Sequence, residues 1–226
     1  MPMKIEEKSF ENLKYIIRYP DDYDCSKVYP IIIFMHGAGT RGDDLNVLYA
    51  NPFFSITDTY KHFPFITVAP LCNRNTWFDI YESVIRLTKN IYNARFTDKK
   101  RFYAIGASMG GYAVWQMAMS CPTLFAAIVP ICGGGMYWNA ERLKNVSVWA
   151  FHGDSDTVVH MSESKKMIDA VASCGGCARL TVYENCDHNA WTQTYSNPDV
   201  FKWLLDNTSK NTYVISDKFN DSNIYG

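Results

Sequence analysis

Apolar residues in this chain are concentrated in short runs that alternate with segments of helical periodicity. The run Ile31–Met35 is apolar at every position, which is typical of a central strand covered on both faces. Clusters of β-branched and aromatic residues predict further strands at 15–19, 66–69, 101–105, 125–131, 146–151 and 180–183. Helical spacing predicts helices at 80–92, 110–120, 162–173 and 198–205. This alternation predicts an α/β fold with a mostly parallel sheet, helices on both faces and ligands at the carboxyl ends of the strands.

The ends of two predicted helices carry capping residues. Asp79 precedes the first helix and is expected to be its N-cap, while Asn197 and Pro198 fit the N-cap and first position of the last one. No repeat, low-complexity tract or linker divides the chain. We therefore expect a single domain, residues 1–226, that ends in a polar tail at 206–226.

Composition and charge exclude several classes of protein. Among the 226 residues, 47% are hydrophobic, so the chain has enough apolar surface for a large core and is not a disordered chain. Lys and Arg total 22 against 23 Asp and Glu, so no basic face points to nucleic acid. The apolar runs are too short to span a membrane, and no signal-peptide pattern is visible. The expectation is a cytoplasmic protein.

The seven cysteines are odd in number and scattered, so they do not suggest a disulfide framework. A chain of this length buries a core large enough to need no covalent staples, so we expect reduced thiols. Cys174 and Cys177 form a C-x-x-C pair, but its flanks lack the βα context of a redox motif, and no second pair completes a zinc site. We expect no metal and no cofactor.

The strongest chemical motif is the pentapeptide Gly106–Gly110, GASMG, which fits G-x-S-x-G. It follows a predicted strand and begins a predicted helix, the context in which this motif presents a nucleophilic serine. The glycines allow a tight turn, and the helix N-terminus favours developing negative charge. Ser108 is the predicted nucleophile.

A serine nucleophile needs a base to accept its proton, and the chain has five histidines. His188 follows the last strand, which agrees with the order serine, acid, histidine. His36 is expected to shape a loop, and His152 to be half-buried in a turn. His62 and His160 have no serine or acidic context and are expected at the surface. We predict His188 as the general base.

A carboxylate is needed to orient the histidine, and the turn HGDSD after the strand at 146–151 offers two. Asp154 adjoins Gly153 and fits a role in capping the turn. Asp156 lies deeper in the loop, on the side of His188. Spacing favours Asp156 without excluding Asp154.

Backbone donors for an oxyanion hole are predicted at two places. One is Met109, which follows the nucleophile, and the other is Ala38 in the loop His36–Gly39 after the strand at 31–35. Small residues in that loop allow the Ala38 N–H to face the site.

Several segments in this order resemble the α/β-hydrolases, specifically feruloyl-esterase-like and prolyl-oligopeptidase-like single-domain carboxylesterases. The resemblance extends from about 31 to 205 and includes HGAGTRGDD, APLC, RFYAIGASMGGYAVWQMA, LFAAIVPICGGG, VWAFHGDSDTVV, LTVYENCDHNAW and NPDVFKWLL. It implies an α/β-hydrolase fold and a Ser108, Asp156, His188 triad, and thereby chooses Asp156 over Asp154. It also implies Ala38 and Met109 as oxyanion donors.

Four aromatic side chains are candidates for contact with substrate because each follows a strand near the predicted catalytic edge. They are Trp77, Tyr137, Trp138 and Trp191. The connection 132–145 is too short for a separate lid domain, which favours short acyl or aryl-acid esters, on an alcohol such as a sugar. A serine esterase acting on small esters is predicted. A serine peptidase and a non-catalytic binding module are the alternatives.

Overall fold

The central element of the computed structural model, which describes residues 4–209, is an eight-stranded sheet in the order β1-β2-β4-β3-β5-β6-β7-β8. The strands are Ile5–Phe10 (β1), Leu13–Arg18 (β2), Tyr29–Met35 (β3), Ile66–Pro70 (β4), Thr97–Ala107 (β5), Ala127–Ile131 (β6), Ser147–Gly153 (β7) and Ala178–Tyr183 (β8). At one edge β2 runs antiparallel to both β1 and β4, whereas β3 to β8 run parallel to one another. The predicted mostly parallel α/β sheet is confirmed.

Helices cover both faces of this sheet. They are Asn46–Tyr49 (α1), Pro52–Thr57 (α2), Tyr81–Tyr92 (α3), Met109–Ser120 (α4), Ser162–Ser173 (α5), Ala190–Ser196 (α6) and Pro198–Asp206 (α7), with 3-10 turns at Ala38–Thr40, Trp77–Ile80 and Tyr137–Leu143. One core contains apolar residues of α3, α4 and α5, and the other contains those of α2, α6 and α7. The carboxyl ends of the parallel strands remain open between these layers.

β3 shows why its apolar run belongs at the centre of the sheet. Ile31, Ile33 and Met35 face the core beneath α3 and α4, whereas Ile32 and Phe34 face the core beneath α2 and α6. Successive side chains of a strand point to opposite faces, so a strand buried on both faces must be apolar throughout.

Two local expectations about helix starts had different outcomes. Asn197 caps α7 by accepting from the Asp199 N–H, as predicted. Asp79 is not the N-cap of α3, which is a correction. Thr76 caps the 3-10 turn Trp77–Ile80, and Asp79 accepts from the Thr76 N–H at 2.8 Å, so the long helix begins later, at Tyr81. The reciprocal capping box stabilises the extra turn.

The connection between β6 and β7 contains one 3-10 turn and no inserted domain. Asn207 and Ser209 of the predicted tail pack on β5, where the Tyr103 hydroxyl donates to the Asn207 carbonyl at 2.9 Å. The rest of that tail, 210–226, lies outside the described residues. All seven cysteines lie within 4–209 and are free thiols. None of the helices in that range has the length and apolarity needed to cross a bilayer.

Candidate functional site

Ser108 lies on a sharp turn between β5 and α4. Its backbone has φ 55° and ψ −119°, a conformation that residues with a side chain adopt at a cost in energy. The glycines of the motif allow this turn to pass close to β3. A Cβ on Gly110 would collide with the Met35 carbonyl, and a Cβ on Gly106 would lie 2.8 Å from the same oxygen. Close packing of α4 against the end of β3 therefore places Ser108 at the carboxyl end of the parallel strands.

The structure brings the three predicted triad side chains together. His188 Nε2 lies 2.8 Å from Ser108 Oγ, and His188 Nδ1 lies 2.7 Å from Asp156 Oδ2. These residues come from three loops at the carboxyl ends of β5, β7 and β8. An imidazole bonded to a carboxylate through Nδ1 presents Nε2 as an acceptor for the serine proton.

The Asp156 carboxylate is held from both sides in a buried position. Its Oδ1 accepts from the N–H groups of Val158 and Val159, each at 2.9 Å, which leaves Oδ2 for His188. Burial tends to raise the pKa of the Asp156 carboxyl, but the hydrogen bonds from His188 and from these two N–H groups outweigh it, so its pKa lies below the usual value. Asp156 is therefore an ionised partner for His188.

Asp154, the competing candidate, is exposed and bonded to the hydroxyl of its neighbour Ser155 at 2.8 Å. Gly153 allows the backbone of this turn to approach the loop that bears His188 closely. A Cβ there would collide with the carbonyls of Cys186 and Asp187, so only glycine permits this approach.

A second histidine contacts Asp156, a feature that the sequence interpretation missed. His152 is fully buried rather than half-buried as expected, because β7 extends to Gly153 and carries the ring into the interior. Its Nε2 lies 2.8 Å from the Val159 carbonyl and 3.2 Å from Asp156 Oδ2, while Nδ1 lies 2.8 Å from Ser164 Oγ. The signal available in the sequence was that His152 precedes Asp156 by four residues in the same turn. This ring helps to fix the carboxylate.

Cys132, His152 and Asp156 place potential metal-ligating atoms within 4.8 Å of one another, the one such group found among the described residues. Both nitrogens of His152 and both oxygens of Asp156 already have hydrogen-bond partners in the protein. Burial raises the pKa of the Cys132 thiol to about 12, so it remains protonated, and a protonated thiol is a poor ligand. The cluster is accounted for by hydrogen bonding.

His36 shapes the loop after β3, in agreement with its predicted role. The ring is fully buried, its Nε2 accepts from the Cys72 N–H at 3.0 Å, and Nδ1 donates to the Gly37 carbonyl at 2.8 Å. The Trp77 indole N–H donates to the His36 carbonyl at 3.0 Å. Burial lowers the pKa of His36 to about 4, so the neutral ring is the folded form.

This burial predicts a pH-dependent stability. As pH falls from about 6.5 to about 4, the unfolded chain binds a proton at His36 that the folded chain excludes, so the free energy of unfolding decreases across that window. His36 accounts for about 3 kcal/mol of this decrease in the free energy of unfolding. Urea unfolding across this pH range should show a decrease that is smaller by about this amount in His36→Gln. Exposed His62 supplies the control, since His62→Gln should retain the full decrease. Equal pH dependence in all three proteins would contradict the prediction.

The two predicted oxyanion donors each begin a helical turn. Ala38 is the first residue of the 3-10 turn Ala38–Thr40, and Met109 is the first residue of α4. First-turn N–H groups have no partner within their own helix, so both are available to a ligand. Ala38 also lines the cavity at Ser108. Their role as donors stays a prediction.

A cavity of about 420 Å³ opens beside Ser108 and His188. Its wall is formed by the loop after β3, by Asn51, and by apolar and aromatic groups, namely Gly37–Thr40, Phe34, Pro52, Ala107, Val158, Trp191 and Tyr195. Ligand sites commonly have this size and apolar character.

The structure places only one of the four predicted aromatic side chains at this cavity. Trp191 lines it, with its ring perpendicular to that of His188 at a centroid distance of 5.3 Å. The expectation that Trp77 offers a stacking surface for substrate was wrong, because its ring is fully buried beneath His36. Tyr137 and Trp138 are 55% and 72% exposed but do not line the cavity. A role for these two with a longer substrate stays a prediction.

Curated relatives of this chain are feruloyl esterases. It is 23% identical over 180 residues to feruloyl esterase D of Neurospora crassa, an alignment that covers 73% of this chain and 60% of that protein. It is also 23% identical to the probable feruloyl esterase C of Aspergillus oryzae, with coverage of 75% and 64%. The chain thus spans about three fifths of the length of these relatives.

Solved structures share the fold over nearly all of this chain. A thermostable esterase is 29% identical with a TM-score of 0.78, covering 92% of this chain and 63% of that one. The feruloyl esterase module from Clostridium thermocellum, solved with sinapinate, is 16% identical with a TM-score of 0.73, covering 94% and 92%. A sequence model of the Dienelactone hydrolase family matches residues 79–212, more than half of the chain and the whole stretch that contains Ser108, Asp156 and His188. The chain therefore belongs to the dienelactone hydrolase family, a family of α/β-hydrolases.

Proposed function

We propose that this protein is a serine carboxylesterase that hydrolyses short acyl and aryl-acid esters through an acyl-enzyme. The observation that carries the proposal is the hydrogen-bonded series Ser108, His188, Asp156, of which Ser108 and His188 line the cavity. Membership in a hydrolase family whose relatives include feruloyl esterases supports it.

In the proposed mechanism, Ser108 Oγ attacks the ester carbonyl while its proton moves to His188 Nε2. The N–H groups of Ala38 and Met109 stabilise the oxyanion, and His188 then protonates the leaving alcohol. A water molecule, deprotonated by His188, attacks the acyl-enzyme, and the acid is released with Ser108 regenerated. Ionised Asp156 keeps the His188 proton on Nδ1 and stabilises the imidazolium formed in each half-reaction.

The size of the cavity and the short connection 132–146 predict a preference for short or aromatic acids. Against nitrophenyl esters from acetyl to dodecanoyl, kcat/KM should be highest for the shortest acids and fall by at least about tenfold once the acyl chain reaches about ten carbons. The protein should also hydrolyse methyl esters of aryl acids. A matched acyl amide separates an esterase from a peptidase, and kcat/KM rising toward dodecanoyl would contradict the proposal.

A further inference from the structure

The cavity beside Ser108 has a buried end and an exposed rim. Val158, which lines the rim, is 70% exposed, whereas Phe34 and Tyr195 are each only 1% exposed although both line the cavity. Residues that touch the cavity yet are nearly inaccessible must form its deepest wall. Tyr195, in α6, therefore presents its ring to the part of a ligand that lies farthest from bulk solvent.

The Tyr195 ring is fixed by aromatic neighbours. It meets Phe53 edge-on at a centroid distance of 5.2 Å and an angle of 87°, and Phe34 at 6.1 Å and 70°. The Tyr60 hydroxyl donates to the Tyr195 backbone carbonyl at 2.8 Å, which holds the helix in place. Rotation of the ring away from this position would disrupt the packed aromatic cluster.

The Tyr195 hydroxyl has no hydrogen-bond partner among residues 4–209, although the side chain is almost completely buried. It differs from the sealed, unpartnered Trp115 indole N–H because the hydroxyl oxygen keeps some solvent exposure. Burial raises the pKa of Tyr195, so the group remains a neutral phenol able to donate. A buried hydroxyl left unpaired is costly, which makes this position a recognition point for a polar ligand atom.

The other hydroxyl, amide and imidazole side chains of the cavity already have partners. Asn51 Nδ2 donates to Thr40 Oγ1 at 3.1 Å, and Ser108 pairs with His188 at 2.8 Å. Within the described part of the chain, the polar side-chain groups of the lining without a partner are the Trp191 indole N–H and the Tyr195 phenol, and of these two residues Trp191 is half-buried whereas Tyr195 is almost completely buried.

We infer that Tyr195 determines acyl specificity by hydrogen bonding to an oxygen substituent, such as a hydroxyl or methoxy group, on the aryl acid of the substrate. This inference rests on the proposed esterase function. The acyl half is assigned to the enclosed cavity because it stays attached to Ser108 after the alcohol departs. An acid without such an oxygen leaves the phenol unpaired, which penalises binding in both the Michaelis complex and the acyl-enzyme.

The test compares methyl cinnamate with its meta-hydroxy and para-hydroxy derivatives, so that only the acid changes. The protein should prefer one hydroxylated ester over methyl cinnamate by about tenfold in kcat/KM, and in Tyr195→Phe this ratio should fall to about one. Tyr103→Phe is the matched control, because it removes a hydroxyl that donates to the Asn207 carbonyl, outside the cavity and away from Tyr195, and it should retain the preference.

The outcomes separate this inference from the proposed function. Hydrolysis without a preference for either hydroxylated acid, or a preference that persists in Tyr195→Phe, overturns the role of Tyr195 and leaves the esterase standing. If no ester is hydrolysed, the proposed function fails. In that case the role of Tyr195 is tested by calorimetric binding of the free acids to the protein and to Tyr195→Phe. The inference requires that the protein binds a hydroxylated acid selectively and that Tyr195→Phe loses this selectivity. Equal binding by the two proteins would overturn the inference.

Discussion

Ser108→Ala is expected to lower kcat for ester hydrolysis by about a millionfold while the protein stays folded. Without the hydroxyl, no acyl-enzyme forms, and the residual rate reflects binding and oxyanion stabilisation alone. The fold should persist because α4 and β5 pack through other residues, although alanine at φ 55° carries the same backbone strain as serine. Steady-state kinetics with nitrophenyl acetate and thermal unfolding measure the two quantities.

Ser155→Ala provides a matched control, because it removes another hydroxyl from a loop at the same sheet edge without altering the Ser108 pair. Its kcat should remain within about twofold of the unaltered protein. A fluorophosphonate should label the unaltered protein at Ser108 and fail to label Ser108→Ala. Near-normal turnover by Ser108→Ala would place the nucleophile elsewhere.

Asp156→Asn is expected to lower kcat by about ten thousandfold, for a reason visible in the hydrogen-bond directions. Because Val158 and Val159 N–H groups donate to Oδ1, the asparagine carbonyl oxygen would take that position and its NH2 group would face His188. The His188 Nδ1 must then accept, so its proton shifts to Nε2, which points at Ser108. A histidine in that tautomer cannot take the serine proton.

Asp154→Asn tests the same substitution two residues away. Asp154 is exposed and bonded to Ser155, so its replacement should change kcat by no more than about twofold. Thermal unfolding of both variants separates a catalytic loss from a folding defect. Losses of equal size would mean that the carboxylate partner of His188 has been misassigned.

Most of the sheet could be predicted because its strands are buried on both faces. The continuous apolar run at β3 and the repeated alternation of strands with helices are compatible with few folds other than a mostly parallel α/β sheet. The edge strand β1, with its polar IEEKSF sequence, and the short helix α6 were not predicted, because neither has a sustained apolar pattern. Their positions depend on pairing with β2 and on packing over the aromatic core.

The sequence by itself determined the α/β fold and the turn that presents Ser108, since both follow from local periodicity and from glycines that permit one backbone path. It also pointed to His188 through its place after the last strand. Spacing left Asp154 and Asp156 open, and the resemblance favoured Asp156; the tertiary structure shows that Asp156 meets His188 and that His152 contacts the same carboxylate. It likewise separated Trp191 at the cavity from Trp77 in the core. These outcomes depend on burial and on the direction of side chains from distant loops, which spacing along one chain does not specify.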